Sequence, residues 1–543
     1  MRKTVVEVMA ALTLAALLTA AGAAMASPHG EPRFLLLHLD GIPASLLQRE
    51  LDAGRLPNLS HAFAGGGCLR ALSLWPGGTE MIYPRLKGGT GPANGLPVAW
   101  TSWDREKSKP FGKVNIFFRL AGALPREARY QLLEGFGRGD LTAGLAMQNL
   151  PDLLKTRRVA EFFWFATDGA AHLAGEKALL ASLRHFDWWF GKALARLDLS
   201  NLNLILYCDH GMVFSRNSIS VPAALQRALG DQTLYYSYPN VYLRDPGQSG
   251  RAAEVLAREP EIDFAFFREG SGRVRGFCKQ GTLEFVAEGD GLRYDWQGAG
   301  PDPFGYAQAG YRGEALSDEE WLKRTAALPF PAVPVQIGRF MANPFAGDVV
   351  VVVDPPRRDW TFACPEAGHQ GLTADDLLVS VFFTGPDVEP LHGLDTLWLH
   401  TLYQRLPALD LSNQRPAREE DRLALFAGPG EAEAELSPAY RWRAWAAAPL
   451  TGFSGGALLL EHDVFRTYLG GIWLGAGLIQ GRPGAALDWA LDLKAGPVRA
   501  QYREVRLPPG QEARRNWTFG YDLTGGLTLE VRSGGRCGLA LRW

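Results

Sequence analysis

The sequence has few cysteines, no excess of charge and almost no long apolar runs. Its five cysteines are an odd number in a chain of 543 residues, which excludes a disulfide framework as the basis of the fold. The formal net charge is −2, so the chain gives no electrostatic case for a nucleic-acid duplex as its partner. Beyond the N-terminal segment, no stretch is long and apolar enough to predict a membrane-spanning helix.

The first 26 residues have the pattern of a secretory signal peptide. Arg2 and Lys3 give a positive start, an alanine- and leucine-rich stretch follows at 8–20, and residues 24–26 (Ala-Met-Ala) match a signal-peptidase site. We expect cleavage after Ala26, which would make the mature protein exported, either periplasmic or secreted. An uncleaved anchor is the alternative, although the apolar stretch is marginal for a span.

Length and periodicity together predict more than one domain. A chain of 543 residues is too long for one ordinary core. Between residue 33 and about 215, strand-length apolar runs alternate with helical patterns, which predicts an α/β fold: a mainly parallel central sheet with helices on both faces. Strands are predicted at 33–39, 69–74, 159–166, 203–208 and 377–383, and helices at 43–53, 79–86, 176–197 and 394–406.

Two parts of the chain depart from this alternation. Residues 218–345 mix strands, a helix and glycine-rich loops, and we expect them to form an inserted, cap-like α+β region of a large domain at 27–417. The valine run at 349–353 predicts a strand that is buried on both faces. From 418 to 543, short alternating runs divided by glycine turns predict an all-β domain of roughly seven to nine strands.

Three architectures are open for the region 418–543. A β-sandwich packed on the preceding domain is the favoured prediction. A module that contacts carbohydrate or the cell surface is the next alternative. The third is a small outer-membrane barrel, which the alternating run at 537–543 favours, although about 125 residues barely make eight strands of the needed length.

Three aspartates follow predicted buried strands. Asp40 follows the first strand, Asp168 follows the strand at 159–166 with His172 four residues later, and Asp209 and His210 follow the strand at 203–208. The carboxyl ends of strands in an open parallel sheet are where ligands bind, so we expect these side chains to lie together. A lone carboxylate there would be costly to desolvate, and a divalent cation would offset that cost.

His369, in a Gly-His-Gln-Gly stretch before the strand at 377–383, completes the candidate ligands. Carboxylate oxygens and imidazole nitrogens are good zinc ligands, so the six residues predict a site for two divalent metal ions, with Zn²⁺ preferred. Taken singly, each residue has a plainer explanation: Asp40-Gly41 is a turn signal, and His172 could lie on the surface. Their joint occurrence in a chain with only ten histidines favours the two-metal site.

A threonine supplies the candidate nucleophile. Thr79 ends a Pro-Gly-Gly-Thr turn, whose glycines allow a tight turn that exposes the side chain. A free hydroxyl is a poor nucleophile at neutral pH, but a metal ion can favour its ionised form. The same residues could equally be a turn followed by a helix cap, and Thr90 is a rival candidate.

These stretches together resemble the alkaline phosphatase superfamily, and most closely its branch of type I phosphodiesterases and nucleotide pyrophosphatases. The resemblance runs from about residue 33 to 386. It rests on the order of the stretches 37–41, 56–59, 76–79, 89–92, 167–172, 208–212 and 368–371. Of these, the Asp-His-Gly-Met sequence at 209–212 is the most specific, and the order favours Thr79 over Thr90 as the nucleophile.

The resemblance implies a ligand set and a mechanism. Asp168, His172 and His369 would hold one zinc ion, while Asp40, Asp209 and His210 would hold the other, with Thr79 beside it as a further ligand. Thr79 would attack phosphorus, and water would then hydrolyse the phospho-threonine. The two metal ions would stabilise the entering and leaving oxygens.

The sequence departs from the family pattern in the stretch 94–99. The asparagine that helps hold the phosphoryl oxygen in many of the family's phosphodiesterases falls on Ala99, so either another donor such as Asn115 or Lys113 replaces it or the substrate differs. No Cys-x-Pro-x-Arg or Ser-x-Pro-x-Arg motif occurs, which disfavours a formylglycine sulfatase.

We therefore expect an exported zinc hydrolase that acts on small-molecule phosphoesters, with diesters or nucleotide-type pyrophosphates favoured. A phosphomonoesterase or phosphonate hydrolase at the same site is the first alternative. A surface- or carbohydrate-binding protein with a degenerate catalytic domain is the second.

Overall fold

The computed structural model describes residues 32–86, 101–112, 136–137, 140–156, 158–215, 217–353, 357–359 and 366–411, together with strands between 422 and 542. Several features predicted from the sequence lie outside these residues: the signal peptide at 1–26, Thr90, the stretch 94–99, Lys113 and Asn115.

The strands before residue 412 are numbered here in chain order. They are β1 (Arg33–Leu39), β2 (Gly67–Leu72), β3 (Thr101–Asp104), β4 (Lys109–Gly112), β5 (Phe136–Gly137), β6 (Val159–Trp164), β7 (Leu202–Cys208), β8 (Val213–Phe214), β9 (Asn217–Ile219), β10 (Thr233–Ser237), β11 (Asn240–Leu243), β12 (Phe264–Gly270), β13 (Arg273–Cys278), β14 (Gly281–Glu288), β15 (Gly291–Gly298), β16 (Val349–Val352), β17 (Arg357–Asp359), β18 (Ala367–Gly368), β19 (Leu378–Thr384) and β20 (Thr396–Trp398).

The central sheet has the order β20-β2-β19-β7-β1-β6-β5. Strand β1 pairs in parallel with both β6 and β7, and only β19 runs antiparallel to its two neighbours. All residues of β6 and β7 are buried, so both faces of the sheet are covered at its centre. Each fully buried leucine or phenylalanine there contributes roughly 1.5–3 kcal/mol to folding. The predicted fold class, a mainly parallel sheet within an α/β domain, is confirmed.

The helices connect and cover these strands. They are Ala44–Asp52, Pro57–Ala62, Thr79–Leu86, Asp140–Met147, Leu150–Thr156, Ala166–Leu194, Val221–Leu229, Ser249–Leu256, Asp318–Thr325, Val333–Met341 and Ala374–Leu377. Ala166–Leu194 contains Gly175, whose φ of 75° marks a kink between two helical parts. Within the described ranges, no helix has both the length and the apolar character that crossing a membrane requires.

A second sheet, antiparallel throughout, has the order β10-β11-β16-β12-β13-β14-β15. Most of its strands come from the predicted insert at 218–345. Strand β16, the valine run, follows that insert in the chain and pairs with β11 and β12, so it belongs to this second sheet. Its four residues are all buried, as the sequence predicts.

The helix predicted at 394–406 is wrong. Residues Thr396–Trp398 form β20, which pairs in parallel with β2, and short 3-10 turns follow at Leu399–Thr401 and Tyr403–Arg405. Apolar residues at a spacing of three and four suggested a helix. The edge of β2 offers backbone hydrogen bonds to this segment, and that pairing decides its structure.

The C-terminal region is all-β, as predicted, but it has ten described strands where seven to nine were predicted, and it is not a sandwich. Its strands are β21 (Arg422–Gly428), β22 (Glu431–Ala439), β23 (Trp442–Pro449), β24 (Ala457–Thr467), β25 (Gly470–Ile479), β26 (Arg482–Ala495), β27 (Val498–Arg506), β28 (Arg514–Asp522), β29 (Leu527–Arg532) and β30 (Arg536–Arg542). Each pairs antiparallel with its chain neighbour, and β21 pairs with β30, so they close into one barrel. A period of two in the sequence is the same for a sandwich and for a barrel wall, and it does not encode closure.

Candidate metal centre

The parallel register of three strands brings the predicted aspartates to one edge of the central sheet. Leu39, the last residue of β1, is level with both Trp164 of β6 and Cys208 of β7. Asp40 and Asp209 are therefore next to one another, and Asp168 lies in the first turn of the helix that follows β6. All three carboxylates are buried, so the edge forms a concentrated, water-poor patch of negative charge.

One group of candidate ligands consists of Asp168, His172 and His369. Nε2 of His172 lies 3.1 Å from Oδ1 of Asp168 and 3.2 Å from Nε2 of His369. Nε2 of His369 lies 3.5 Å from the same Asp168 oxygen. Ligands of a tetrahedral ion with bonds of 2.0–2.1 Å are about 3.3 Å apart, so these three atoms have the spacing of ligands that share one ion.

The second group consists of Asp40, Asp209 and His210. Nε2 of His210 lies 3.2 Å from Oδ1 of Asp40 and 3.6 Å from Oδ2 of Asp209. The two groups adjoin, since ligand atoms of Asp168, His210 and His369 also lie within 4.8 Å of one another. The structure thus brings together all six ligand residues predicted from the sequence.

Backbone carbonyls orient the three imidazoles. Nδ1 of His172 donates to the carbonyl of Ala367 and Nδ1 of His210 to that of Gly211, each over 2.9 Å. Nδ1 of His369 donates to the carbonyl of Gly77. A carbonyl only accepts hydrogen bonds, so each ring donates from Nδ1 and turns its Nε2 towards the centre, where Nε2 can bind a metal ion once it carries no proton.

Buried oxygens at the centre lack hydrogen-bond partners. Neither carboxylate oxygen of Asp40 accepts a hydrogen bond from the described residues, and the same holds for Oδ1 of Asp168. Nε2 of His210 and Nε2 of His172 lie within 3.2 Å of Asp40 and Asp168, and buried carboxylates crowded together are strongly unfavourable unless cations compensate their charge. The carboxylate and imidazole donors, together with these unsatisfied oxygens, fit divalent cations such as Zn²⁺.

The electrostatics of the metal-free centre point the same way. Burial and the neighbouring carboxylates of Asp209 and Asp168 raise the pKa of Asp40 well above its usual range. Burial lowers the pKa of His210, but the carboxylates of Asp209 and Asp40 outweigh burial and raise it to about 10. Burial and then the charge on His210 lower the pKa of His369 to about 3. Negative charge is thus compensated in one half of the centre by a proton that a metal ion would replace.

Thr79 lies at the second group. It begins the helix Thr79–Leu86, and its Oγ1 donates a hydrogen bond of 2.7 Å to Oδ2 of Asp209. The preceding turn needs glycine: Gly77 has a φ of 53°, and a Cβ there would lie 2.6 Å from the carbonyl oxygen of His369. The turn can therefore approach the His369 segment closely enough to place the hydroxyl beside the ligands.

The segment that carries Asp209 and His210 is fixed from the other side by Ala374–Leu377. The amide of Gly211 donates to the carbonyl of Asp376 over 2.8 Å, and the amide of Met212 donates to that of Asp375 over 2.9 Å. A Cβ on Gly211 would lie 1.9 Å from the Asp375 carbonyl oxygen, so the contact requires glycine.

Two residues at the site were not predicted to act there. Nε2 of His38 lies 3.3 Å from Oδ2 of Asp209, and its ring stacks on Phe163 with centroids 4.0 Å apart. Gln336 accepts from the amide of Trp75 over 2.9 Å and donates to the carbonyl of Ser73 over 2.6 Å, which fixes the strand end before the Thr79 turn. The sequence held a signal for His38, because it lies two residues before Asp40 and alternate strand residues share a face. It held no such signal for Gln336.

No protein-family model matches the chain, and no curated protein matches it. Among solved structures, murine ectonucleotide pyrophosphatase/phosphodiesterase 5 is similar to it, with a TM-score of 0.43 and 14% sequence identity. That match covers 70% of this chain and 96% of the other chain.

Proposed function

We propose that this protein is an exported, zinc-dependent phosphoester hydrolase of the alkaline phosphatase superfamily, with Thr79 as its nucleophile. The observation that carries the proposal is the 2.7 Å hydrogen bond from Thr79 to Asp209 beside two groups of metal-ligand side chains. Small phosphodiesters or nucleotide-type pyrophosphates are the favoured substrates, in keeping with the branch that the motifs resemble.

Each group of ligands would hold one divalent ion: Asp168, His172 and His369 the first, and Asp40, Asp209 and His210 the second. Bound there, the two ions supply positive charge that stabilises the entering and leaving oxygens of a phosphoryl transfer. The chain's own residues orient the nucleophile and carry the phosphoryl group.

Asp209 orients the hydroxyl of Thr79 and is itself ionised. Burial raises the pKa of Asp209, but His210 and His38 outweigh burial and hold it well below the usual range. Its Oδ2 therefore remains an ionised acceptor that fixes the rotation of the Thr79 hydroxyl. The N-terminus of the helix Thr79–Leu86 points at the same place and favours the negative phosphoryl group.

The reaction then has two displacements at phosphorus. Oγ1 of Thr79 releases its proton to solvent and bonds to phosphorus, while the bond from phosphorus to the leaving oxygen breaks and the alcohol or phosphate leaves with a proton taken from solvent. Water next attacks the phospho-threonine, the bond from Oγ1 to phosphorus breaks, and Thr79 regains a proton. The hydroxyl is thus restored for another cycle.

Two other functions compete with this proposal. A phosphomonoesterase or phosphonate hydrolase would use the same ligands and the same threonine. A surface-binding protein with a degenerate catalytic domain is disfavoured, because all six ligand side chains are present with ligand-like spacing.

Metal content and turnover separate these functions. The purified chain is analysed for zinc, and release of nitrophenol is measured from bis(nitrophenyl) phosphate and from nitrophenyl phosphate. We expect about two zinc ions per chain and faster turnover of the diester. Faster turnover of the monoester would favour the phosphomonoesterase.

The matched variants are His369→Gln, at the centre, and His185→Gln, on an exposed histidine that contacts Asp140. We expect His369→Gln to lose one of the two zinc ions and turnover, and His185→Gln to keep both ions and turnover. A wild-type chain with neither zinc nor turnover would leave the binding protein as the better explanation.

A further inference from the structure

Part of the barrel wall exposes an unusually apolar surface. On β26 to β29 and at the residue that follows β28, eight large apolar side chains are each between 39% and 56% exposed. We call this set the outer apolar face: Leu493, Val498, Trp517, Phe519, Tyr521, Leu523, Leu529 and Val531. Cross-strand pairing makes it continuous, since Tyr521 pairs with Val498 and Leu529, and Phe519 with Val531. A contiguous patch of this kind marks an interaction surface.

The side chains that alternate with this face are polar and charged. Arg499 Nε lies 2.7 Å from Oδ1 of Asp522, and Thr528 donates to the same carboxylate over 2.8 Å. Arg532 and Glu530 form an ion pair of 2.9 Å. Thr528 and Glu530 are each only 1% exposed. Because successive strand residues point to opposite sides, these groups face the barrel interior.

The barrel is therefore inverted relative to a barrel that folds in water, where apolar residues fill the interior. We propose that the outer apolar face contacts lipid hydrocarbon and that the barrel spans a bilayer of the outer-membrane type. In such barrels, lipid-facing apolar residues alternate with polar residues that line the lumen. A closed barrel is also one of the two structures whose backbone is fully hydrogen-bonded inside a membrane.

The dimensions of the wall agree with a span. From Trp517 to Leu523 the outward residues cover a rise of about 20 Å, at about 3.3 Å per residue, against an apolar band of about 25 Å in outer-membrane barrels. Strands β22 and β24 to β28 each have nine or more residues, and a membrane-spanning strand needs about nine to eleven.

An aromatic row marks one border of the outer apolar face. Trp489, Tyr502 and Trp517 lie on three adjacent strands, with ring centroids 4.8 Å and 4.4 Å apart in turn. Just beyond them, Nε of Arg515 lies 3.3 Å from Oε2 of Glu504. Aromatic side chains next to charged ones are typical of the level where a bilayer meets water.

The opposite end of the barrel contacts the catalytic domain. Asn149 donates to the carbonyl of Lys494 over 2.6 Å and accepts from the amide of Gly496 over 3.0 Å, at the turn between β26 and β27. Nζ of Lys494 also lies 3.2 Å from Asp152. Because the strand number is even, β21 begins and β30 ends at this same end.

The lengths of the connections between barrel strands indicate which end of the barrel lies on which side of the membrane. At the end that contacts the catalytic domain, connections have two to four residues, whereas at the other end they reach seven residues, after β23 and after β27. Outer-membrane barrels have short turns on the periplasmic side and longer loops outside. The catalytic domain accordingly lies in the periplasm.

The first test is flotation of the full chain. The detergent-purified chain is reconstituted with vesicles of phosphatidylcholine and phosphatidylglycerol, washed in alkaline carbonate and centrifuged in a density gradient. We expect it to float with the vesicles. A chain that is monodisperse without detergent and stays below the vesicles would overturn the proposal. So would a detergent-free dimer, which would make a second copy the occupant of the face.

Neighbouring residues on β28 give a matched pair of variants. Phe519→Arg places a charge on the outer apolar face, and Thr518→Arg places the same charge on the interior side. A lipid-facing wall predicts that Phe519→Arg lowers the ratio of inserted to uninserted chain at least about tenfold, with a smaller effect of Thr518→Arg. A wall that faces water predicts the reverse order, and that result would overturn the proposal.

Tryptophan fluorescence tests lipid contact directly in a chain that folds normally. In vesicles whose acyl chains carry bromine, Trp517 should be quenched, so Trp517→Phe should show a smaller quenched fraction than the wild type. Equal quenching in the two chains would contradict lipid contact at this residue. In a Gram-negative host, protease should reach the catalytic domain only after the outer membrane is permeabilised, and cleavage in intact cells would overturn the assigned orientation.

Discussion

Thr79 and Asp209 are 130 residues apart in the chain, and a hydrogen bond of 2.7 Å joins their side chains. It connects the start of a helix with the end of β7, two elements that share no backbone pairing. The contact depends on the close approach of the Gly77 turn to the His369 segment. The candidate nucleophile is therefore positioned by the same turn whose Gly77 carbonyl orients the ligand His369.

Removing the Thr79 hydroxyl should abolish turnover without loss of the fold. We expect Thr79→Ala to lower kcat by about 10³-fold or more, since a nucleophile and its partners act as a unit. Thr79→Ser, which keeps a hydroxyl, should retain measurable turnover. Steady-state kinetics on a diester, with zinc content measured in parallel, checks both.

A control for that pair is Ser200→Ala, which removes an exposed hydroxyl that donates to Asp198 before the start of β7, at the opposite end of that strand from Asp209. It should leave kcat unchanged. Full activity of Thr79→Ala would instead assign the nucleophile to another residue.

His38 should act through Asp209 as a positioning residue. His38→Phe keeps an aromatic ring stacked on Phe163 but removes the nitrogen that lies 3.3 Å from Asp209. Loss of such an outer contact typically reduces metal affinity or activity 10- to 100-fold. We expect weaker zinc binding, measured by competition with a chelating dye, and a lower kcat.

Tyr83→Phe is the comparison for His38→Phe. The Tyr83 ring stacks on His38, while its hydroxyl donates to Glu161 and not to the centre. Zinc affinity should change little in this variant. An equal loss of zinc affinity in both variants would indicate that the packing of these rings, and not the imidazole nitrogen, supports the metal centre.

The sequence was sufficient for the parts of the fold that local patterns encode. Strands β1, β6 and β7 are continuous apolar runs that end near an aspartate, so both the strands and the edge carrying Asp40, Asp168 and Asp209 were predictable. The helix that begins at Thr79 was also predicted. In each case the signal lies within about ten residues.

What was not predictable depends on long-range pairing. Closure of the barrel is set by the pairing of β21 with β30, over 100 residues apart, and a period of two carries no information about it. The segment Thr396–Trp398 is a strand only because β2 offers it an edge. Gln336 is an ordinary helical residue until folding places it beside two unpaired backbone groups.

Gln336 should stabilise the turn that precedes Thr79. Gln336→Leu leaves the buried amide of Trp75 and the carbonyl of Ser73 without this partner. Each unsatisfied group costs about 1–3 kcal/mol, so the thermal midpoint of the domain should fall by several degrees and turnover should fall with it.

Gln226→Leu, on an exposed glutamine of the insert, should leave the midpoint unchanged. A wild-type midpoint in Gln336→Leu would show that the turn holds without this residue.

Metal binding should release a proton from one half of the centre and not from the other. In the metal-free chain the pKa of His210 is raised to about 10, so its ring is protonated at pH 8. The neighbouring carboxylates of Asp40 and Asp209 stabilise that proton. The pKa of His369 is lowered to about 3, so its ring is already neutral. A ligand imidazole must be neutral, and zinc added at pH 8 should therefore displace about one proton per chain. An indicator dye in weak buffer measures the release.

His210→Gln should lose most of this proton release. His369→Gln also removes a ligand, but it should still release the proton when the remaining site is occupied. Equal release from both variants would mean that the proton does not reside in the group formed by Asp40, Asp209 and His210.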